Sequence, residues 1–301
     1  MKNRAAIGID LGGTKILTGA IDFSGNLIGS PVKALTVGKD PAEAIVGRIV
    51  ESVEGFVRNT GMTIKDFEGI GIGSTGPLDL DTGYILECPQ LPNMNFYPIR
   101  DKIQNYFGIP VFLNNDANCL IYAESLFGAG KGMNYVIGFT LGTGLGCAIV
   151  LDKKLVNGST GTAGEIWISP YRSGNIEDIV SGDGVSRIYK DRTGADRDSI
   201  EIYQLACYGD KQALLTWKDF GEHLAVPVSW SINIIDPDVV ILGGSITAAY
   251  PYFKDSLEEV VYRHICPVPA QKTRIVLAKL GDNGGFIGAA CLVIDKSGSQ
   301  D

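Results

Sequence analysis

The chain reads as α/β, with mixed sheets in two domains, on three observations. Apolar runs of strand length alternate with segments of helical period in both halves. A strand, glycine turn and return strand occur together twice. At 301 residues there is enough chain for two domains with separate cores.

The first copy reads Ile7-Gly8-Ile9-Asp10-Leu11-Gly12-Gly13-Thr14-Lys15, then an apolar run to Ile21, then Asp22. The second reads Ile137-Gly138-Phe139-Thr140-Leu141-Gly142-Thr143-Gly144, an apolar run to Leu151, then Asp152. Ile7 falls on Ile137, Gly8 on Gly138, Leu11 on Leu141, Gly12 on Gly142 and Asp22 on Asp152. Each copy is a hairpin. Backbone N–H groups in a glycine turn form an anion-binding concavity. Two such turns, one per half, suggest two half-domains gripping one polyphosphate.

The other elements follow in order. Ser24-Gly25-Asn26 turns the first hairpin into a third strand that ends near residue 35. Pro41 opens a helix to about Asn59, with Ile45, Ile49, Val53 and Phe56 at helical spacing. Glu68 to Gly73 is a strand, Ile99 to Phe107 a helix, Val111 to Leu113 a buried strand, and Asp116 to Phe127 a helix. The second hairpin spans about Tyr135 to Val156. Helices start near Ile176, Ile200 and Gln212, and the last carries Pro227, which predicts a kink. Val239 to Leu242 is a buried strand, Tyr252 to His264 a helix, Arg274 to Ala278 a strand and Gly285 to Ile294 a final helix. Lys296 to Asp301 is polar and reads as a frayed tail. The domain boundary is expected near residue 114, with domains at 1–114 and 115–284 and the helix of 285–301 packing back on the first.

Composition narrows the function. Charged content is 20% and hydrophobic content 45%, ordinary for a globular protein. A net charge of −8 without a basic run argues against nucleic acid as a partner. Glycine turns and Mg²⁺ can still hold phosphate without many basic side chains. None of Cys88, Cys119, Cys147, Cys207, Cys266 and Cys291 forms a C-x-x-C pair, so they read as small buried hydrophobes in a reducing compartment. His223 and His264 have no second ligand type nearby, which argues against a Cys/His metal cluster. The apolar run after Met1 to Arg4 is too short and glycine-rich for a signal peptide or membrane span, so the cytoplasm is expected.

Asp10 ends an apolar strand beside the first turn, where ligands bind in α/β sheets. A carboxylate beside a phosphate turn needs a reason, and a shared Mg²⁺ supplies one. Alone, this turn reads equally as an ordinary hairpin with an exposed acid, and the second copy tips the balance. Asn114-Asn115-Asp116-Ala117-Asn118 follows a buried strand and precedes a helix. An N-cap explains one of its polar residues but not three together. The functional reading makes Asp116 a general base for a substrate hydroxyl. Gly71-Ile72-Gly73-Ser74-Thr75-Gly76 spells the dinucleotide fingerprint, but Pro77 to Gly83 follows as turn chemistry where a helix is required. A nicotinamide enzyme is therefore not expected, although a close backbone approach to a small ligand stays open. Glu165 follows Gly161-Thr162-Ala163-Gly164, and Glu177 lies further on. As a pair they suit a polyol, while singly each reads as a surface acid or, for Glu177, a first-turn helix residue. For Gly243-Gly244, a plain strand-to-helix connection and a nucleotide contact fit equally.

Asp10 to Lys15, Gly71 to Gly83, Asn115 to Asn118, Leu141 to Gly146, Gly164-Glu165, Glu177 in the run toward Ser181-Gly182, and Leu242-Gly243-Gly244 keep one order over nearly the whole chain. Together they resemble the ROK family of sugar kinases and repressors, within the actin-like and hexokinase-like ATPase superfamily. The resemblance implies a two-domain fold closing over a cleft, with the sugar and phosphate side in the first domain and the nucleotide side in the second. It implies ATP and Mg²⁺, a homodimer, and glucokinase-like phosphorylation of a sugar hydroxyl, such as the 6-OH of a hexose. Asp116 matches the catalytic base. Gly76, Asn115, Asp116, Glu165 and Glu177 match sugar contacts. Gly12, Gly13, Thr14, Lys15, Gly142, Thr143, Gly144, Gly243 and Gly244 match the nucleotide side, and Asp10 the Mg²⁺ anchor through water.

Two departures concern the sugar. Ile168 stands where the family usually has histidine, preceded by Trp167 where glycine is usual. The family's cysteine-rich zinc loop is reduced to Pro170 to Asn175 without a cysteine, so no zinc site is expected. Trp167 reads as filling the space of the zinc loop or stacking on a sugar face. A non-catalytic sugar-binding sensor is the alternative function. Direct repression is disfavoured, because only a few residues precede the first glycine motif.

Overall fold

The computed structural model describes residues 4–298. Strands β1 (Ala5–Leu11), β2 (Lys15–Asp22) and β3 (Leu27–Leu35) lead to α1 (Ala42–Thr60) and β4 (Ile70–Ser74). A small ribbon of β5 (Leu78–Asp79) and β6 (Tyr84–Ile85) precedes α2 (Ile99–Phe107), β7 (Val111–Asn115) and α3 (Asp116–Phe127). The second hairpin is β8 (Tyr135–Leu141) and β9 (Leu145–Leu151), with β10 (Lys154–Leu155) behind it. A second ribbon, β11 (Pro170–Tyr171) and β12 (Gly174–Asn175), precedes α4 (Gly182–Thr193), α5 (Ser199–Cys207) and α6 (Lys211–Ile235). The chain ends with β13 (Val239–Gly243), α7 (Tyr250–His264), β14 (Arg274–Leu277) and α8 (Gly284–Gly298).

These elements form two compact units, each with its own sheet and core. Unit 1 takes the chain up to Gly128, returns at Asn157–Thr162 and again from Leu280. Unit 2 holds Ala129–Val156 and Ala163–Lys279. The division therefore falls after α3, not near residue 114, and the final segment of unit 1 starts at Leu280, before the expected 285. The physical reason is packing. A Cβ on Gly288 of α8 would stand 1.6 Å from the Cys119 carbonyl oxygen of α3, so the two backbones are in direct contact and α3 stays with unit 1.

Both sheets have the same strand order. In unit 1 it is β3-β2-β1-β4-β7, and in unit 2 β10-β9-β8-β13-β14. The first three strands of each are antiparallel, and the last two run parallel to β1 or β8. On the outgoing strands the two motifs match in register. On the return strands they differ by one residue, because Leu11 faces Ile16 whereas Leu141 faces Leu145. Asp22 faces Ala5 and Leu151 faces Tyr135, so the partner of Asp22 is Leu151 and not Asp152. The first turn is one residue wider.

In unit 1, Ile45, Ile49, Val53 and Phe56 are buried against the sheet, and the Ser52 hydroxyl of α1 bonds the Thr18 hydroxyl of β2 at 2.8 Å. On its other face, α8 lies against β1 and β4. A Cβ on Gly71 would stand 1.7 Å from the Ala289 carbonyl oxygen. In unit 2, α6 and α7 bring Trp217, Phe220 and Phe253 into mutual ring contact at 5.3–6.2 Å between centroids. α6 runs through Pro227 to Ile235 as one helix. Four cysteines are buried, but Cys207 and Cys266 are exposed, against the expectation of six buried thiols. Of the expected tail, residues 296–298 continue α8 and 299–301 lie outside the described residues. Among the described residues, no helix is long and apolar enough to cross a membrane.

Candidate active site

Unit 1 gathers Asp10, Lys15, Gly76, Asn115 and Asp116 at the carboxyl ends of β1, β4 and β7. Parallel strands with helices behind them leave that end open, where ligands bind. Asp10 lies beside Gly73 of β4 and is the next-to-last residue of β1. The Lys15 ammonium is 3.6 Å from its Oδ2. Burial pushes the Asp10 carboxyl above its usual range, Lys15 pulls it down, and Asp282 pushes it up again. A Cβ on Gly285 of α8 would stand 2.8 Å from the Asp10 Cγ, so the start of α8 sits directly behind this carboxylate.

The asparagine cluster divides its labour. Asn115 is the N-cap of α3, its Oδ1 accepting from the Ala117 N–H at 2.9 Å. Buried Asn114 accepts from the Asn115 N–H and the Asn118 amide, both at 2.8 Å, and donates to Asn157 Oδ1 at 2.9 Å. Asp116 opens the helix, its Oδ1 accepting from its neighbour Ala117 N–H at 2.7 Å. Burial first, then the charges of Asp116 and Asp10, push the Cys119 thiol well up. Both carboxylates therefore lie within electrostatic reach of one sulfur. A Cβ on Gly76 would stand 3.3 Å from the Asn115 amide nitrogen, so the fingerprint-like segment passes close to the cap.

Unit 2 gathers Gly142, Thr143, Gly144, Gly243 and Gly244. Gly243 pairs with Thr140. Gly244 has φ +89°, and a Cβ there would stand 2.3 Å from the Leu141 carbonyl oxygen, so this close approach to the second turn excludes a side chain. α4 starts at the same turn, with the Gly182 N–H donating to the Gly142 carbonyl at 2.8 Å. Among the described residues, the N–H groups of Gly13, Thr14, Thr143 and Gly144 have no acceptor. They are the donors that a phosphate takes in such turns.

A cavity of about 400 Å³ opens from the second turn between α4, α5, α6 and the segment after β13. Ile200, Tyr203, Trp217 and Ile246 line it with apolar surface, and Asp183, Asp198 and Ser199 add polar groups. Its size and mixed lining suit a nucleoside. None of these residues stood out in the sequence. Asp198-Ser199-Ile200-Glu201 carries a capping-box signal, and Asp198 accepts from the Glu201 N–H at 2.8 Å. That signal marks a helix start and says nothing of a ligand.

The two glutamates also lie in unit 2, Glu165 at the start of one 3₁₀ turn and Glu177 within another. Glu165 precedes the turn Ile166–Ile168, closed by the Ser169 N–H on the Ile166 carbonyl at 2.8 Å. The Trp167 indole N–H donates to Glu165 Oε2 at 2.5 Å. Burial pushes the Glu165 carboxyl up, Trp167 pulls it down, and Glu177 pushes it up. Glu177 lies in the turn Ile176–Asp178, and its Oε2 accepts the Leu145 N–H at 2.7 Å, beside Gly144. The helix expected from Ile176 is thus one 3₁₀ turn, and α4 starts six residues later. Between the turns, the ribbon of β11 and β12 stands where the cysteine-rich loop is missing. Its Tyr171 hydroxyl pairs with His223 Nδ1 of α6 at 3.0 Å. Among the described residues, no three or more His, Cys, Asp or Glu side chains are grouped to hold a metal ion.

A family model described as the ROK family matches residues 6–296. The chain belongs to the ROK family. Across the family, it is similar to a glucokinase of Thermotoga maritima, 28% identical over 97% of this chain and 98% of that one. It is similar to an N-acetyl-D-glucosamine kinase of Photobacterium profundum, 31% identical over 96% of this chain and 99% of that one. Its fold matches a ROK family glucokinase of Streptomyces griseus solved with glucose and AMPPNP, at TM-score 0.80 and 28% identity, over 96% and 98% of the two chains.

Proposed function

We propose that this ROK protein transfers the terminal phosphoryl group of ATP to a sugar hydroxyl, such as the 6-OH of a hexose or hexose derivative. The observation that carries the reading is Asp116, a carboxylate at the start of α3 and the end of β7, next to the Asn115 cap that Gly76 approaches and with its Cα 3.7 Å from where a Cβ on Gly73 would stand. A base at that position accepts the proton of the attacking hydroxyl. Asn115, Gly76, Glu165 and Glu177 bind the sugar in this reading, and carboxylates accept from its hydroxyls. The glycine turns and Gly243-Gly244 take the phosphates on their N–H groups, and the cavity beside Tyr203 takes the nucleoside. The S. griseus glucokinase, solved with glucose and AMPPNP, supports a sugar and a nucleotide as the two ligands of this reading.

Asp10 suits a magnesium ion held through water. Its carboxylate is mostly buried, with Asp282 near enough to raise it and Lys15 to balance it. Magnesium keeps several waters and needs only one or two carboxylates besides substrate phosphates. When bound, the ion neutralises charge on the phosphoryl oxygens.

The test is ADP release from Mg²⁺-ATP across hexoses, hexosamines and β-glucosides, with Asp116→Asn as control. Turnover on one sugar that falls roughly 10²–10⁴-fold in the variant, about 3–5 kcal/mol of barrier, establishes the reaction and names the sugar. Sugar binding by calorimetry without turnover on any of them sinks the kinase and leaves a sensor.

A further inference from the structure

Trp167 has a polar partner that neither filling a space nor stacking on a sugar requires. Its indole N–H lies 2.5 Å from Glu165 Oε2. Side chains two apart do not face each other on an α-helix. Here a tight 3₁₀ turn makes the pairing possible, entered from Gly164 at φ +88°. A Cβ on Gly164 would stand 2.3 Å from the Cys147 carbonyl oxygen, so the turn is pressed onto β9. Trp167 itself packs against the core of unit 2, whereas Ile168 points out and is 58% exposed. The indole is thus held by packing, and its donor is aimed at one carboxylate oxygen.

We propose that Trp167 is a positioning residue for sugar recognition: its N–H holds Glu165 Oε2, fixes the carboxylate's rotamer, and leaves Oε1 to accept from the sugar. This rests on the reading of Glu165 as a sugar contact. Holding the carboxylate before the sugar arrives lowers the ordering cost of binding. The same hydrogen bond favours the ionised acid, against burial and Glu177, which push it the other way. The groups facing Glu165 are Glu177 on the neighbouring 3₁₀ turn and the Cys147 thiol of β9, itself pushed up to about 12 by burial and Glu165. Asp178, on the same turn as Glu177, pairs with Arg187 at 3.3 Å.

The test is a double-mutant cycle on the full chain: Trp167→Phe, Glu165→Gln and both together. Phenylalanine keeps a ring in the core and removes the donor. The readouts are the sugar dissociation constant by calorimetry, sugar KM and kcat, and the pH profile of kcat/KM. The sugar is the hexose turned over fastest in the panel above, or the tightest-binding one if none turns over. Trp167→Phe is expected to weaken sugar binding roughly tenfold, the scale of a hydrogen bond to a charge. Its effect on kcat is smaller, and the acid limb of kcat/KM moves to higher pH. In the Glu165→Gln background the same change weakens binding less than about twofold. An equal loss in both backgrounds overturns the proposal and makes Trp167 packing or a sugar platform. If Glu165→Gln leaves sugar affinity unchanged, the reading of Glu165 itself fails, and that result is distinct from the first.

Discussion

At the scale of single residues, His223 has a consequence for pH. It is buried on α6 and shares a hydrogen bond with Tyr171, on the ribbon that joins the Glu165 and Glu177 turns. Burial first, then Arg172, hold its imidazole below the usual range, with Asp219 acting against them. The folded state therefore binds this proton less readily than the unfolded chain. Stability rises with pH through the ordinary histidine range and is lost as pH falls through it. Between about pH 7.5 and 5.5 the melting temperature is expected to fall further in the wild type than in His223→Gln, which keeps polar atoms but does not titrate. Equal falls rule the link out. Residue types alone pointed to Asp10, Asn115 and Asp116, since acids and amides after apolar strands are conspicuous. The Trp167 donor and the lining of the cavity beside Tyr203 were hidden, because both depend on where backbone turns aim side chains.

At the scale of elements, α8 shows how closely helices and strands meet around the site. Gly288→Ala places a methyl against the Cys119 carbonyl, where no rotamer relieves the clash. A loss of roughly 1–3 kcal/mol or more is expected, read as a fall in melting temperature. Gly55→Ala on α1 meets nothing within 4 Å and is expected to gain up to about 1 kcal/mol instead. A gain at both positions, as helix propensity alone predicts, would show that this contact does not decide the outcome. The bounds of α3 were legible to the residue, because Asn115 and Asp116 are strong cap signals and Gly128 follows. The start of α4 was not. Asn175 and Ser181 both cap, the first closing only one 3₁₀ turn, and local chemistry does not rank them.

At the scale of the whole molecule, the repeated motif announced two sheets of one design, and both have the same strand order. The one-residue difference in their return strands escaped a residue-by-residue match, because hairpin register is set by the turn. The division into units was misplaced because it depends on α3 meeting α8, a contact between distant parts of the chain. That contact makes a truncation prediction. A chain ending at Lys279 keeps every segment of unit 2 and uncovers the face of β1 and β4 on which α8 lies. It is expected to lose cooperative unfolding of unit 1 and to bind ANS, while tryptophan fluorescence still reports a folded core around Trp217. A cooperative unit 1 without ANS binding would show that α8 is dispensable.

The placement of α8 also bears on synthesis. Domains commonly fold in the order in which they leave the ribosome. Here the sheet of the first unit waits for a helix that follows the whole of the second, while the second unit has its full complement of chain once Lys279 has emerged. Until α8 has emerged, the glycine-lined face of β1 and β4 has no cover, so the second unit has the chain it needs to close before the first does.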